Sequence, residues 1–86
     1  MPEISRFLGI IITMYHNEHN PPHFHVRYNE FRAVISIKGL GLLGGKLPPK
    51  VMGLVIEWAS LHQEALMEDW QLAQEFNQLK QIKPLE

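Results

Sequence analysis

The chain has 86 residues, room for one domain rather than two. Its 45% apolar and 20% charged residues are those of an ordinary globular protein, and a net charge of −1 argues against tight nonspecific binding to nucleic acid. With no cysteine it can hold no disulfide, thiolate nucleophile or cysteine-ligated zinc, which fits a reducing compartment.

Met1 to Arg6 has no basic region leading into a long apolar stretch, and the run Phe7 to Tyr15 is too short to span a bilayer. The expectation is a cytoplasmic protein with no membrane contact. The charge is unevenly spread. Residues 1–50 hold six Lys or Arg against three acids, +3, and residues 51–86 hold two Lys against six acids, −4. The first half could therefore face an anion.

Ile4 to Tyr15 is dense in β-branched residues and predicts one strand, apolar on both faces. His16 to Pro22 is rich in turn formers and predicts a loop. His23 to Tyr28 alternates, with Phe24, Val26 and Tyr28 opposite His23, His25 and Arg27. Asn29-Glu30 predicts a two-residue hairpin link, and Phe31 to Ile37 alternates again. The glycine-punctuated Lys38 to Leu47 predicts a turn at Lys38 to Gly41 and a short further strand. Its literal G-x-G-x-x-G, Gly39 to Gly44, and its Gly45-Lys46 lack the helix and the Ser or Thr that phosphate loops need, so they read as turn glycines.

Pro48-Pro49 fits the first turn of a helix, and the period becomes helical to about Phe76, with Asn77 as cap. A break near Glu68-Asp69 is an alternative. Val51, Leu54, Val55, Trp58, Leu61, Leu66, Leu72 and Phe76 lie on the core stripe. Met52, Ile56, Met67 and Trp70 widen it and are the candidate interface for a partner. Leu79 to Glu86 reads as a tail or edge strand. The expected fold is a single α+β domain: an antiparallel meander of three or four strands over 1–47, one long helix over 48–77 and the tail over 78–86.

Four of the five histidines fall within ten residues: His16, His19, His23 and His25. His23 and His25 leave one face of a strand, Arg27 follows them, and Arg32 on the next strand reaches the same face if Phe31, Ala33 and Ile35 point to the core. Thr13 and Tyr15 could line it too. Three chemistries suit this set. In phosphodiester cleavage, independent of metal, His23 and His25 would serve as general acid and base, Arg27 and Arg32 would bind phosphate, and His16 or His19 would support them. In metal binding, His16, His19, His23 and His25 would hold a divalent ion such as zinc, with Glu18 as carboxylate ligand or base. In an adaptor without catalysis or cofactor, the histidines would be structural. His62 reads as a core or helix-surface residue.

The runs PEISRFLGIIITMYHNEHNPPHFHVRY, AVISI, LPPKVMGLVIEWASLHQEAL and KPLE resemble the small bacterial proteins of domain-of-unknown-function family 4160 (DUF4160) over nearly the whole chain. Tyr15 to His25, with Pro21-Pro22, is the most specific part. Members of that family are often encoded beside a second small protein of domain-of-unknown-function family 2442, an arrangement like a two-gene toxin–antitoxin module. The resemblance implies a toxin-like role acting on RNA or another target. The cognate partner, DUF2442-like, would sit on the spare helical stripe unless a homodimer covers it. The family supplies no catalytic residues, so the histidine and arginine roles rest on chemistry alone.

Overall fold

In the computed structural model, which describes residues 2–85, the opening apolar run is folded back on itself. It forms two strands, β1 (Glu3–Phe7) and β2 (Ile10–Thr13), paired antiparallel with Phe7 opposite Ile10. Leu8 (φ 51°) and Gly9 (φ 80°) are both left-handed, the backbone a two-residue hairpin of matching twist requires. The expected single strand is therefore a hairpin. Its turn was hidden because Leu8, 65% exposed, looks like a core residue in sequence.

β3 (His23–Tyr28) and β4 (Phe31–Ser36) follow, joined through Asn29 at φ 52°, and β5 (Leu42–Gly45) closes the sheet. The five strands lie in chain order, each antiparallel to the next, so the meander has one strand more than the largest number expected. The additional strand comes from the split of the first.

The helical region is two helices, α1 (Pro49–Leu61) and α2 (Gln63–Gln74), not one. The break falls at His62 rather than near Glu68-Asp69. At φ −128°, ψ 26°, His62 leaves the helical region and flanks both helices. Its N–H donates to Ala59 O, and its carbonyl accepts from Leu66 N–H. α1 begins with Pro49 at its first position, where no N–H is missed. α2 stops at Gln74 with Glu75 as its C-cap, and the chain turns away at Phe76 rather than at an Asn77 cap. Phe76 is left-handed (φ 58°) and donates to Ala73 O, while Asn77 N–H closes the larger ring to Leu72 O.

One sheet face and both helices enclose the core. Trp58 is fully buried, its ring 5.5 Å from Phe7 and 5.9 Å from Phe24, among Ile4, Ile10, Ile12, Val26, Ile35, Val55 and Leu66. The tail adds to this core without becoming a strand. Ile82 is buried and donates its N–H to Ile4 O (2.8 Å), Lys83 O accepts from Trp58 Nε1 (2.9 Å), and Lys80 N–H donates to Asp69 Oδ1 (2.8 Å). The last tail residue, Glu86, lies outside the described residues. Part of the helical stripe that the sequence leaves to a partner is thus covered by the chain itself. Trp70 is only 4% exposed and packs inside the chain, and Met52, Ile56 and Met67 are half-buried against the same core. Among the described residues no helix is long and apolar enough to cross a membrane.

Candidate functional site

The strand register decides which side chains share the face turned away from the helices. Thr13 pairs with His25, Ile11 with Arg27, Arg27 with Arg32, and His25 with Val34. Since paired residues point the same way, His25, Arg27 and Arg32 meet on one surface with Ile11, Thr13 and Val34. Together with Tyr15 and Gly45 they line a concavity of about 460 Å³, within the range of small-ligand sites. Gly45 shapes its rim. It sits at φ 80°, and a Cβ there would strike the Arg32 carbonyl oxygen and lie 2.8 Å from Ala33 Cα. Only glycine lets β5 approach β4 so closely. The Gly-rich stretch thus has a reason that its motif-like spacing did not indicate.

Arg27 and Arg32 stand directly opposite each other across the ladder. Like charges so placed oppose pairing by roughly 0.2–1 kcal/mol. Among the described residues neither guanidinium forms a hydrogen bond or an ion pair. The acid on the same side of β1, Glu3, is already engaged: Arg6 donates to both its oxygens, at 3.0 and 2.8 Å. That bond holds the Glu3 carboxyl below its ordinary range, with Arg27 adding only a smaller charge effect. The concave face therefore carries two positive charges without a bonded anion among the described residues.

The histidines separate into distinct environments. His25 is half-buried, lines the concavity, meets the Tyr15 ring edge-on at 4.7 Å and donates Nε2–H to Glu18 Oε1 (2.8 Å). His23 lies at the strand start, 9% exposed, with its ring 5.1 Å from Trp70. Its Nδ1–H donates to Pro21 O (2.7 Å), and its Nε2 is 3.2 Å from the same Glu18 oxygen. The two imidazoles are 5.3 Å apart. His16 is elsewhere, with Nε2–H on Asn77 O (3.1 Å) and its ring stacked on Phe76 at 6.0 Å. It ties the loop to the end of α2. His19 is exposed and outside the concavity, and His62 packs on Trp58 at the helix junction.

The structure thus brings together His25, Arg27 and Arg32 on the concave face, sets His23 beside His25 at the strand start and against Trp70, and leaves His16 and His19 apart. Glu18 is the residue whose importance the sequence understated. It bridges the two strand histidines, and the loop carrying it is held by Gln74 Nε2, which donates to Glu18 O (3.1 Å). The available signal was a carboxylate lying between two histidines in a loop that returns to a His-x-His strand.

The family model described as "Domain of unknown function (DUF4160)" matches residues 9–71, a stretch that contains β2 to β5 and every residue lining the concavity. No curated protein and no solved structure matches the chain.

Proposed function

We propose that this chain, which belongs to the DUF4160 family, is the toxin-like component of a bacterial two-gene toxin–antitoxin module and acts on RNA through its His/Arg concave face. The observation that carries the reading is the Arg27–Arg32 pair: two guanidiniums held opposite each other without a bonded acid among the described residues. An anion between them turns a repulsive pair into a clamp. Guanidinium forks match phosphate oxygens in geometry as well as charge.

His25 borders the same concavity and is the nearer candidate for proton transfer, with His23 behind it and Glu18 linking them. A histidine suits general acid–base work on a ribose phosphodiester because its ordinary pKa, about 6.5, allows either form near neutrality. The carbonyl bonds of His16 and His23 give these two an orienting role as well. The cognate DUF2442-like partner would restrain the activity by covering this face or by docking on the half-buried helix residues Met52, Ile56 and Met67.

The test is induced expression in a bacterial host, scoring growth and total RNA integrity. Wild-type protein is expected to arrest growth with RNA loss. Arg27→Ala/Arg32→Ala and His25→Ala proteins, checked for folding and abundance, are expected to abolish both effects. Normal growth with intact RNA under abundant, folded wild-type protein contradicts the proposal and leaves the adaptor reading.

A further inference from the structure

Three ligating atoms converge beside the concavity. Glu18 Oε1 lies 3.2 Å from His23 Nε2 and 2.8 Å from His25 Nε2, and one ligating atom from each of the three residues lies within 4.8 Å of the other two. The bond from His23 Nδ1–H to Pro21 O fixes the ring, so that in the neutral imidazole Nε2 carries the lone pair. That lone pair faces a carboxylate oxygen 3.2 Å away, which is also an acceptor. Two acceptors at that distance need a cation between them. A proton on His23 supplies one, and a metal ion supplies one that satisfies all three groups together.

We propose that Glu18, His23 and His25 form a binding site for one divalent first-row transition ion, with zinc as the reference case. Two histidines and a carboxylate are a recurrent zinc donor set that leaves a fourth position for water or substrate. Bonds of about 2.0–2.1 Å in a tetrahedral site put ligand atoms about 3.3–3.4 Å apart. The 3.2 Å separation is already close to this, the 2.8 Å separation from His25 must open by about half an ångström, and the ligating atoms of the two histidines, within 4.8 Å of each other, must close on the ion.

The surroundings match what such ligands need. A backbone carbonyl on the far nitrogen is the usual orienting partner of a ligating histidine, and Pro21 provides it. Trp70 packs on His23, Tyr15 packs on His25, and Gln74 holds the Glu18 backbone, so the donors are fixed from three sides. The side chains of His23, His25 and Glu18 keep 11%, 26% and 27% exposure, sheltered yet reachable. This ligand set replaces the four-histidine set suggested by sequence, since His16 is spent on Asn77 O.

The site stands whether or not the RNA reading holds. A bound ion would occupy the Nε2 lone pairs of both histidines, so metal-loaded and metal-free protein are expected to differ in any RNA cleavage.

The experiment is calorimetric titration of zinc chloride into the full chain after chelator dialysis. One ion per chain should bind with a Kd of micromolar or tighter. Glu18→Gln and His25→Ala should each weaken binding at least tenfold, while His19→Ala stays within twofold of wild type. Because His23 also packs on Trp70, the partly exposed Glu18→Gln carries the decision. Cobalt substitution should give the intense visible bands of a four-coordinate site. Absence of stoichiometric binding to folded protein, or an equal loss in His19→Ala, overturns the site. Arg27→Ala/Arg32→Ala should leave zinc affinity unchanged, so failure of this site and failure of the RNA reading are separable.

Discussion

Asp69 shows how much a single residue can hold while remaining poorly satisfied. It is 1% exposed, its Oδ1 accepts from Lys80 N–H, and its Oδ2 has no partner among the described residues. Burial pushes its carboxyl above the ordinary value, only partly offset by the Lys80 bond, and the charge of Glu68 raises it further. A raised folded value means that the folded state holds the proton more tightly than the unfolded one. Stability is then greatest below the unfolded carboxyl range, near 4, and falls as pH rises through the folded value. The cost of the buried charge is felt as pH rises above the unfolded carboxyl range. Asp69→Asn keeps an acceptor for Lys80 and removes that charge, so its urea midpoint at pH 7 should exceed that of wild type, with the gap closing as pH falls towards 4. A gap that persists at low pH would show that burial of the charge is not the cause. Sequence periodicity placed Asp69 only near a possible helix break. Its burial depends on a tail contact eleven residues away, which no local pattern encodes.

At the scale of elements, the β3–β4 hairpin was legible because its alternation keeps one face apolar and the other polar. The β1–β2 hairpin was not, because apolar residues continue through its turn and Gly9 is the only break in the pattern. The helix break was equally hidden. The buried positions Trp58, Ala59, Leu66, Trp70 and Ala73 preserve a helical stripe across His62, so periodicity alone reads one helix. The tail was legible in place but not in role. It reads as a candidate edge strand, yet it acts as a clasp: Ile82 fills a buried position, and one backbone bond joins it to β1. Ile82→Ala should therefore cost about 2–3 kcal/mol, at the low end for buried Ile because the site is near an edge. Thermal unfolding should register this as a fall of roughly 10–20 °C in a domain of this size. A change of a few degrees would mean that the tail is merely laid on the surface.

Across the whole molecule, charge is unevenly distributed among the elements. Of the acids of the second half, Glu57, Glu64, Glu68 and Asp69 lie on the two helices, while Arg27 and Arg32 stand on the sheet face turned the other way. A net charge of −1 conceals this separation, which is why net charge alone argued against tight nonspecific binding to nucleic acid. The sequence did place His23, His25, Arg27 and Arg32 on one face, since that needs only strand period and one hairpin register. The concavity needed β2 and β5 on either side of that hairpin, and Glu18 needed a loop path that no periodicity describes.

The most direct test of the proposed anion-binding role of this face is a titration of labelled single-stranded RNA with purified protein across a series of salt concentrations. Wild type should bind with an affinity that falls as salt rises. Arg27→Ala/Arg32→Ala should bind more weakly and lower the slope of log K against log salt by about one to two units, the signature of two lost phosphate contacts. An unchanged affinity and slope in the folded double variant would contradict the assignment of this face to nucleic acid.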